Sequence, residues 1–172
     1  MLATVVIFQL SFIAGSLAGT GLRYSKDPTA FAAYSGWNAK TNGSLRFHFR
    51  TDDENGFLIY EDDNGQCQYM YLSLADGRLR LSLLMGNCDK MQTLLVGHKL
   101  ADGRWHKVVV QRNYSVTSVT VDDNFINSTY YEGEGRNVLG VQSDLLVGGI
   151  SVDTRLNDLS FPAIFYESYF NR

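Results

Sequence analysis

The chain has 172 residues and a formal net charge of −3 at pH 7, with 45% hydrophobic residues, ten Phe, ten Tyr and only two Pro. This composition excludes a disordered or Pro-rich linker and suits a β-rich core, while the mild acidity argues against the basic face of a nucleic-acid binder. The length is that of one domain with a real core.

Met1 to Ala18, MLATVVIFQLSFIAGSLA, contains no charged side chain and is apolar from Leu2 to Ile13. Small residues at Ser16 and Ala18 satisfy an A-x-A-like cleavage pattern, so the segment reads as a secretory signal peptide cut after Ala18. It is atypical in having no Lys or Arg before the apolar run. No later segment approaches the ~20 apolar residues that cross a bilayer, which leaves a secreted or lumenal globular piece.

Residues 19–43, with Tyr24, Phe31, Tyr34 and Trp37 spaced among small residues, form a lead-in strand and loop; the main domain is expected over residues 44–172. From Ser44 to Arg50, Leu45, Phe47 and Phe49 alternate with Arg46, His48 and Arg50, the period of a strand with one wet face. A turn at Asp52-Asp53-Glu54-Asn55 leads into an apolar strand from Gly56 to Glu61, and Asp62-Asp63-Asn64-Gly65 turns into a second from Cys67 to Leu74. Asp76-Gly77 then folds the chain back into Arg78 to Leu83, where Leu79, Leu81 and Leu83 alternate with polar residues. An Asp-Gly between two such runs is a strong hairpin signal, because Gly supplies positive φ without steric cost. Further strands are expected at Thr93 to Val96, Arg104 to Val110, Thr117 to Val121 and Ser143 to Ile150, with a turn at Asp122-Asp123-Asn124. No segment sustains a helical period for three turns. Roughly ten short strands with hairpin-type turns predict a two-sheet antiparallel β-sandwich or jelly roll.

The two cysteines, Cys67 and Cys88, flank the hairpin turned at Asp76-Gly77, which brings their neighbourhoods together. Two buried free thiols are the alternative to a disulfide; a secretory leader favours the disulfide. The bridge would close a loop of roughly 20 residues and stabilise the fold by about 3 kcal/mol on the chain-entropy model.

Catalytic constellations are absent. Glycoside hydrolysis needs two carboxylates facing each other across a cleft, whereas Asp and Glu gather here in turns, at Asp52-Asp53-Glu54 and Glu61-Asp62-Asp63. His48, His98 and His106 lack metal-ligand spacing and read as packing or hydrogen-bonding residues. There is no G-x-S-x-G, and Gly133-Glu134-Gly135-Arg136 does not complete a dinucleotide loop. A binding module is the better class. Three sequons, at Asn42, Asn113 and Asn127, mark candidate glycosylation sites at turns or strand ends. Arg78, Arg80, Arg104, Lys107 and Arg112 would, if gathered on one face, suit a sulfated glycan; alternating strand positions that place Lys and Arg in water are the favoured explanation.

Gly56-Phe57-Leu58-Ile59-Tyr60, Leu72-Ser73-Leu74-Ala75-Asp76-Gly77-Arg78-Leu79, Asp102-Gly103-Arg104-Trp105-His106-Lys107-Val108 and Leu146-Val147-Gly148-Gly149 resemble, in order and spacing, the laminin G-like (LNS) domain. The similarity is closer still to the first LNS domain of the alpha-neurexins. It rests there on Trp37-Asn38-Ala39, on Asp62-Asp63-x-Gly65-x-Cys67, and on Cys88 just past the far arm of the hairpin. The resemblance implies a laminin G-like jelly roll acting as an extracellular recognition module of a presynaptic adhesion receptor, on the outer face of the plasma membrane or secreted. Postsynaptic or other extracellular adhesion proteins are the implied partners. It also implies a final strand beyond Arg172, so that the domain is C-terminally truncated and any membrane tether lies in later sequence. Matrix domains of the laminin, agrin or perlecan kind, binding glycans or receptors, are the alternative, and a glycan-processing enzyme is the competing class.

The rim of this fold commonly holds Ca²⁺. Members that bind it offer an Asp immediately before the hairpin arm; the aligned residue here is Gln68, a neutral amide where a hard cation prefers a carboxylate. Asp62, Asp63 and Asp89 lie near enough in sequence to substitute, although acidic turns are commonly just solvated. The sequence does not fix which face binds a partner; recognition is expected at the rims formed by Asp62 to Gln66 and Gly86 to Lys90.

Overall fold

Alternation in the sequence becomes two facing layers. The computed structural model describes residues 6–12, 22–24, 30–132 and 137–149, all strands and their connections, with no helix among them. The strands are β1 (Val6–Phe12), β2 (Leu22–Tyr24), β3 (Ala32–Tyr34), β4 (Asn42–Phe49), β5 (Gly56–Asp62), β6 (Tyr69–Ala75), β7 (Arg78–Leu84), β8 (Met91–Val96), β9 (His106–Asn113), β10 (Val116–Val121), β11 (Phe125–Tyr130) and β12 (Leu145–Val147). One six-stranded sheet runs β11-β10-β9-β4-β1-β2 and the other β3-β12-β5-β6-β7-β8. Every strand pair is antiparallel.

Register explains the core. Leu45 pairs with Val110 and Val110 with Val119, while Phe47 pairs with Val108 and Val108 with Val121, so two apolar rows cross the first sheet. In the second sheet, Leu72 pairs with Leu81 and Leu81 with Leu94, and Leu74 pairs with Leu79 and Leu79 with Val96. These rows face one another in a single buried cluster. Each such side chain contributes about 1.5–3 kcal/mol by leaving water.

The second sheet is buried on its other face as well. Phe57, Tyr60, Tyr69 and Tyr71 form a separate cluster, with Tyr60 stacked on Tyr69 at 6.3 Å between ring centroids. Hence β6 reads Tyr69-Met70-Tyr71-Leu72-Ser73-Leu74 without a wet face, as strands covered on both sides do.

The Asp76-Gly77 hairpin is as the sequence predicts. Ala75 pairs with Arg78, and Asp76 and Gly77 have φ of 51° and 67°. Positive φ at both central residues is the twist-matched two-residue turn, and glycine takes it without a Cβ penalty.

Two elements differ from expectation. β11 is not expected from the sequence: Phe125-Ile126-Asn127-Ser128-Thr129-Tyr130 lacks clean alternation, and among the described residues it pairs only with β10, at the sheet edge. β1 lies inside the segment read as a leader. It pairs with β4, Leu10 opposite Phe47 and Phe12 opposite Leu45, so this apolar run occupies a sheet position when present. The proposed cleavage point after Ala18 lies outside the described residues.

Candidate recognition rim

Three connections meet at one end of the sandwich: residues 63–68 between β5 and β6, residues 85–90 between β7 and β8, and residues 137–144 before β12. A disulfide between Cys67 and Cys88, with Cα atoms 6.1 Å apart, ties the first to the second. The hairpin β6–β7 delivers both cysteines to the same end, since Tyr69 pairs with Leu84. The double variant Cys67→Ser with Cys88→Ser is expected to lose about 3 kcal/mol of stability. Urea unfolding reads this directly; a midpoint equal to wild type would show that hydrogen bonds alone hold the corner.

Those hydrogen bonds centre on three consecutive acids, each in a different setting. The Asp63 carboxylate accepts the backbone N–H groups of Gln66, Cys67 and Gln68, at 2.9 Å from Gln66 and Gln68 and at 2.9 and 3.1 Å from Cys67. It is the organiser of the loop. Asp62 accepts the Tyr60 hydroxyl at 3.2 Å and the Asn64 N–H at 3.1 Å. Its backbone is joined to the third connection: the Asp62 N–H donates to Ser143 Oγ at 3.0 Å, and the Asp62 carbonyl accepts Gln142 N–H at 2.7 Å and Ser143 N–H at 2.9 Å.

Glu61 points the other way. Its register partner is Met70, a core residue, and it is 1% exposed. Burial pushes its carboxyl up to about 8, against the Trp37 backbone N–H, which favours the charged form; the neighbouring Asp62 charge adds to the rise. Among the described residues its Oε2 has no hydrogen-bond partner. A Cβ at position 36 would lie 2.5 Å from Glu61 Oε1, so glycine at 36 lets the chain pass over the buried acid. The sequence places Glu61 both at the end of an apolar strand and beside an acidic turn; the alternation of β5, which puts it on the face of Ile59, is the signal that it is internal.

Gln68 joins the second and third connections. Its Oε1 accepts the Gly140 N–H at 2.7 Å and its Nε2 donates to the Gly86 carbonyl at 3.3 Å. The residues expected as weak calcium ligands do not converge. The oxygens of Asp62 and Asp63 face hydrogen-bond donors, Gln68 presents an N–H to the nearest carbonyl, and Asp89 is exposed on the next loop. Among the described residues no group of three or more His, Cys, Asp or Glu is placed to hold a metal ion. The donor set does not fit Ca²⁺. Outside this frame, Asn64, Gln66, Asn87, Asp89 and Lys90 are exposed at the tip.

Behind the rim lies Arg112, 3% exposed. Its Nε donates to the Ala39 carbonyl at 3.0 Å, one terminal nitrogen to Thr117 Oγ1 at 3.0 Å, and the other to the carbonyls of Lys40, Tyr114 and Asn137 at 3.2–3.4 Å. It also reaches Met85 Sδ, next to the disulfide loop. Burial lowers its pKa to about 10.

This overturns a shared basic face. Arg112 is internal; Arg78 and Arg80 lie on the second sheet, bonded to the Gly97 carbonyl and Ser73 Oγ; Lys107 lies on the first sheet with Asp123 at 2.9 Å. Arg104 sits on a loop with Asp102. Period-two alternation sends these residues to different faces, so they do not gather. The histidines are equally dispersed. His106 is held between Asp122 at 2.8 Å and Asp102 at 3.1 Å, His98 packs edge-on against Phe125, and His48 lies on β4. Of the sequons, Asn42 and Asn113 are exposed register partners at one end of β4 and β9, whereas the Asn127 side-chain amide donates to the Leu95 carbonyl.

The Laminin G domain family matches residues 49–167. The chain belongs to that family. Laminin G domains of known structure share the sandwich: domains LG4-5 of the mouse laminin alpha1 chain superpose with a TM-score of 0.70 at 19% identity, covering 90% of this chain and 37% of that one. In sequence the chain is 35% identical over 166 residues to Neurexin-2 of Rattus norvegicus, covering 96% of this chain. It is 32% identical over 171 residues to Neurexin 1 of Drosophila melanogaster, covering 98% of this chain. The chain spans 9% of the length of each of these relatives.

Proposed function

We propose that this laminin G domain is an extracellular, non-enzymatic recognition module of a neurexin-type adhesion receptor, binding protein partners across the synapse through its rim. The observation that carries the reading is a disulfide-braced, hydrogen-bonded frame presenting a small exposed tip, in a chain similar to neurexins over nearly its whole length. A braced frame lowers the ordering cost of binding. The tip is polar and of mixed charge, with Asn64, Gln66, Asn87, Asp89 and Lys90, which suits a protein surface better than a polyanion. The signal peptide cut after Ala18 and glycans at Asn42, Asn113 and Asn127 belong to the same reading, and sequencing and mass spectrometry of secreted material test them.

The binding test uses the secreted chain on a sensor surface, with extracellular domains of postsynaptic adhesion proteins and with heparin as analytes. The expected result is saturable binding to a protein analyte that falls at least about tenfold in Gln66→Arg with Lys90→Glu, and retention on heparin unchanged by Arg78→Ala with Arg80→Ala. Binding to heparin alone, lost in the Arg78 and Arg80 variant, would replace this reading with the matrix-type one.

A further inference from the structure

The family resemblance places a cation where the described donors do not fit one, and the same spot is spanned by a side-chain amide. We propose that Gln68 is a metal-free latch: its amide joins the residue 85–90 and 137–144 connections, so that the rim is built and held without calcium. The amide is bifunctional, which is what the site demands. Gly140 presents an N–H and receives Oε1; Gly86 presents a carbonyl and receives Nε2–H.

A cation at this point would need converging oxygens. Instead, the Gly140 N–H turns the positive end of its dipole toward the position, and the Gly86 carbonyl is already facing a donor. Recruiting Asp63 would strip its carboxylate of three backbone N–H groups and unmake the loop that carries Gln68 itself. Asp62 already holds the Tyr60 hydroxyl on one carboxylate oxygen and the Asn64 N–H on the other, which fixes its orientation within its own loop. The neighbouring disulfide holds Gln68 and Gly86 in reach of each other from the covalent side, since it joins Cys67, adjacent to Gln68, to Cys88, two residues past Gly86.

Thermal unfolding of the whole chain, in millimolar calcium chloride and in chelator, tests the latch without reference to any partner. A ligand that binds the folded state raises its Tm. The wild type is expected to melt at the same temperature in both buffers. Gln68→Ala is expected to melt roughly 3–6 °C lower, by an equal amount in both. Gln68→Glu keeps the length and the acceptor but sets an oxygen against the Gly86 carbonyl, and is expected to fall likewise; it serves if the alanine variant does not fold. A calcium-dependent rise in the wild-type Tm, or a Tm for either variant equal to wild type, would overturn the proposal. Failure of the partner-binding test would leave it standing.

Discussion

Glu61→Gln is expected to stabilise the domain at pH 8 by about 4 kcal/mol and to change it little near pH 4.5. The carboxyl is 1% exposed, lies on the core face of β5, and is pushed up to about 8 by burial from an ordinary 4.5. The folded protein therefore keeps this proton through a window in which the unfolded chain releases it. Stability is fully present below the unfolded value and falls as pH rises from about 4.5 to about 8. Glutamine has the same shape and no proton to lose, so its stability does not decline through that window on this account. Urea unfolding of both proteins at intervals between pH 4.5 and 8 reads the difference curve, in which contributions from other titrating groups cancel. Parallel profiles would show that Glu61 ionises in the folded state as freely as in the unfolded one. The trend also bears on acidic compartments: this acid makes the fold more secure there, not less.

Arg112→Met is expected to cost about 3–5 kcal/mol, a fall in Tm of roughly 10 °C. No carboxylate pairs with this guanidinium among the described residues; its charge is balanced by carbonyl dipoles of Ala39, Lys40, Tyr114 and Asn137 and by the Thr117 hydroxyl. Removing it does more than delete one side chain. It leaves several buried or half-buried carbonyls without a donor, and the segments that carry them, at residues 39–40, 114 and 137, are joined through it. Arg112→Lys is expected to recover only part of the loss, because a single ammonium cannot reproduce the planar fork that serves all of these acceptors at once. Calorimetric unfolding of the three proteins provides the ranking. A methionine variant within about 1 kcal/mol of wild type would mean that the carbonyls find water instead, and that the arginine is not the clamp.

The two predictions meet beneath the rim: Glu61 lies there on the core side of β5, and Arg112 supports it from the end of β9, through Met85 and the loop at Asn137. Rim loops that bind a partner gain from such support, since loops that are ordered before binding lose less entropy on contact.

Much of this was legible in the chain itself. Period-two alternation at Leu45-Phe47-Phe49 and Leu79-Leu81-Leu83, with Asp76-Gly77 between hairpin arms, determined an antiparallel sandwich, because a strand's side-chain period and a turn's φ requirements are local properties. The order of four short motifs was enough to point to the family. Local pattern did not reveal β11, whose Asn127-Ser128-Thr129 run is strand only by virtue of its pairing with β10. It could not tell that Asp62 and Asp63, adjacent in sequence, would become a connection anchor and a loop organiser. It could not separate Arg112 from the solvated basic residues either, since what buries the guanidinium is supplied by residues 39–40, 85 and 137, far away along the chain. Propensity and patterning specify which elements form; only the packing of distant loops decides whether a charged side chain at their ends meets water, a proton or a ring of carbonyls.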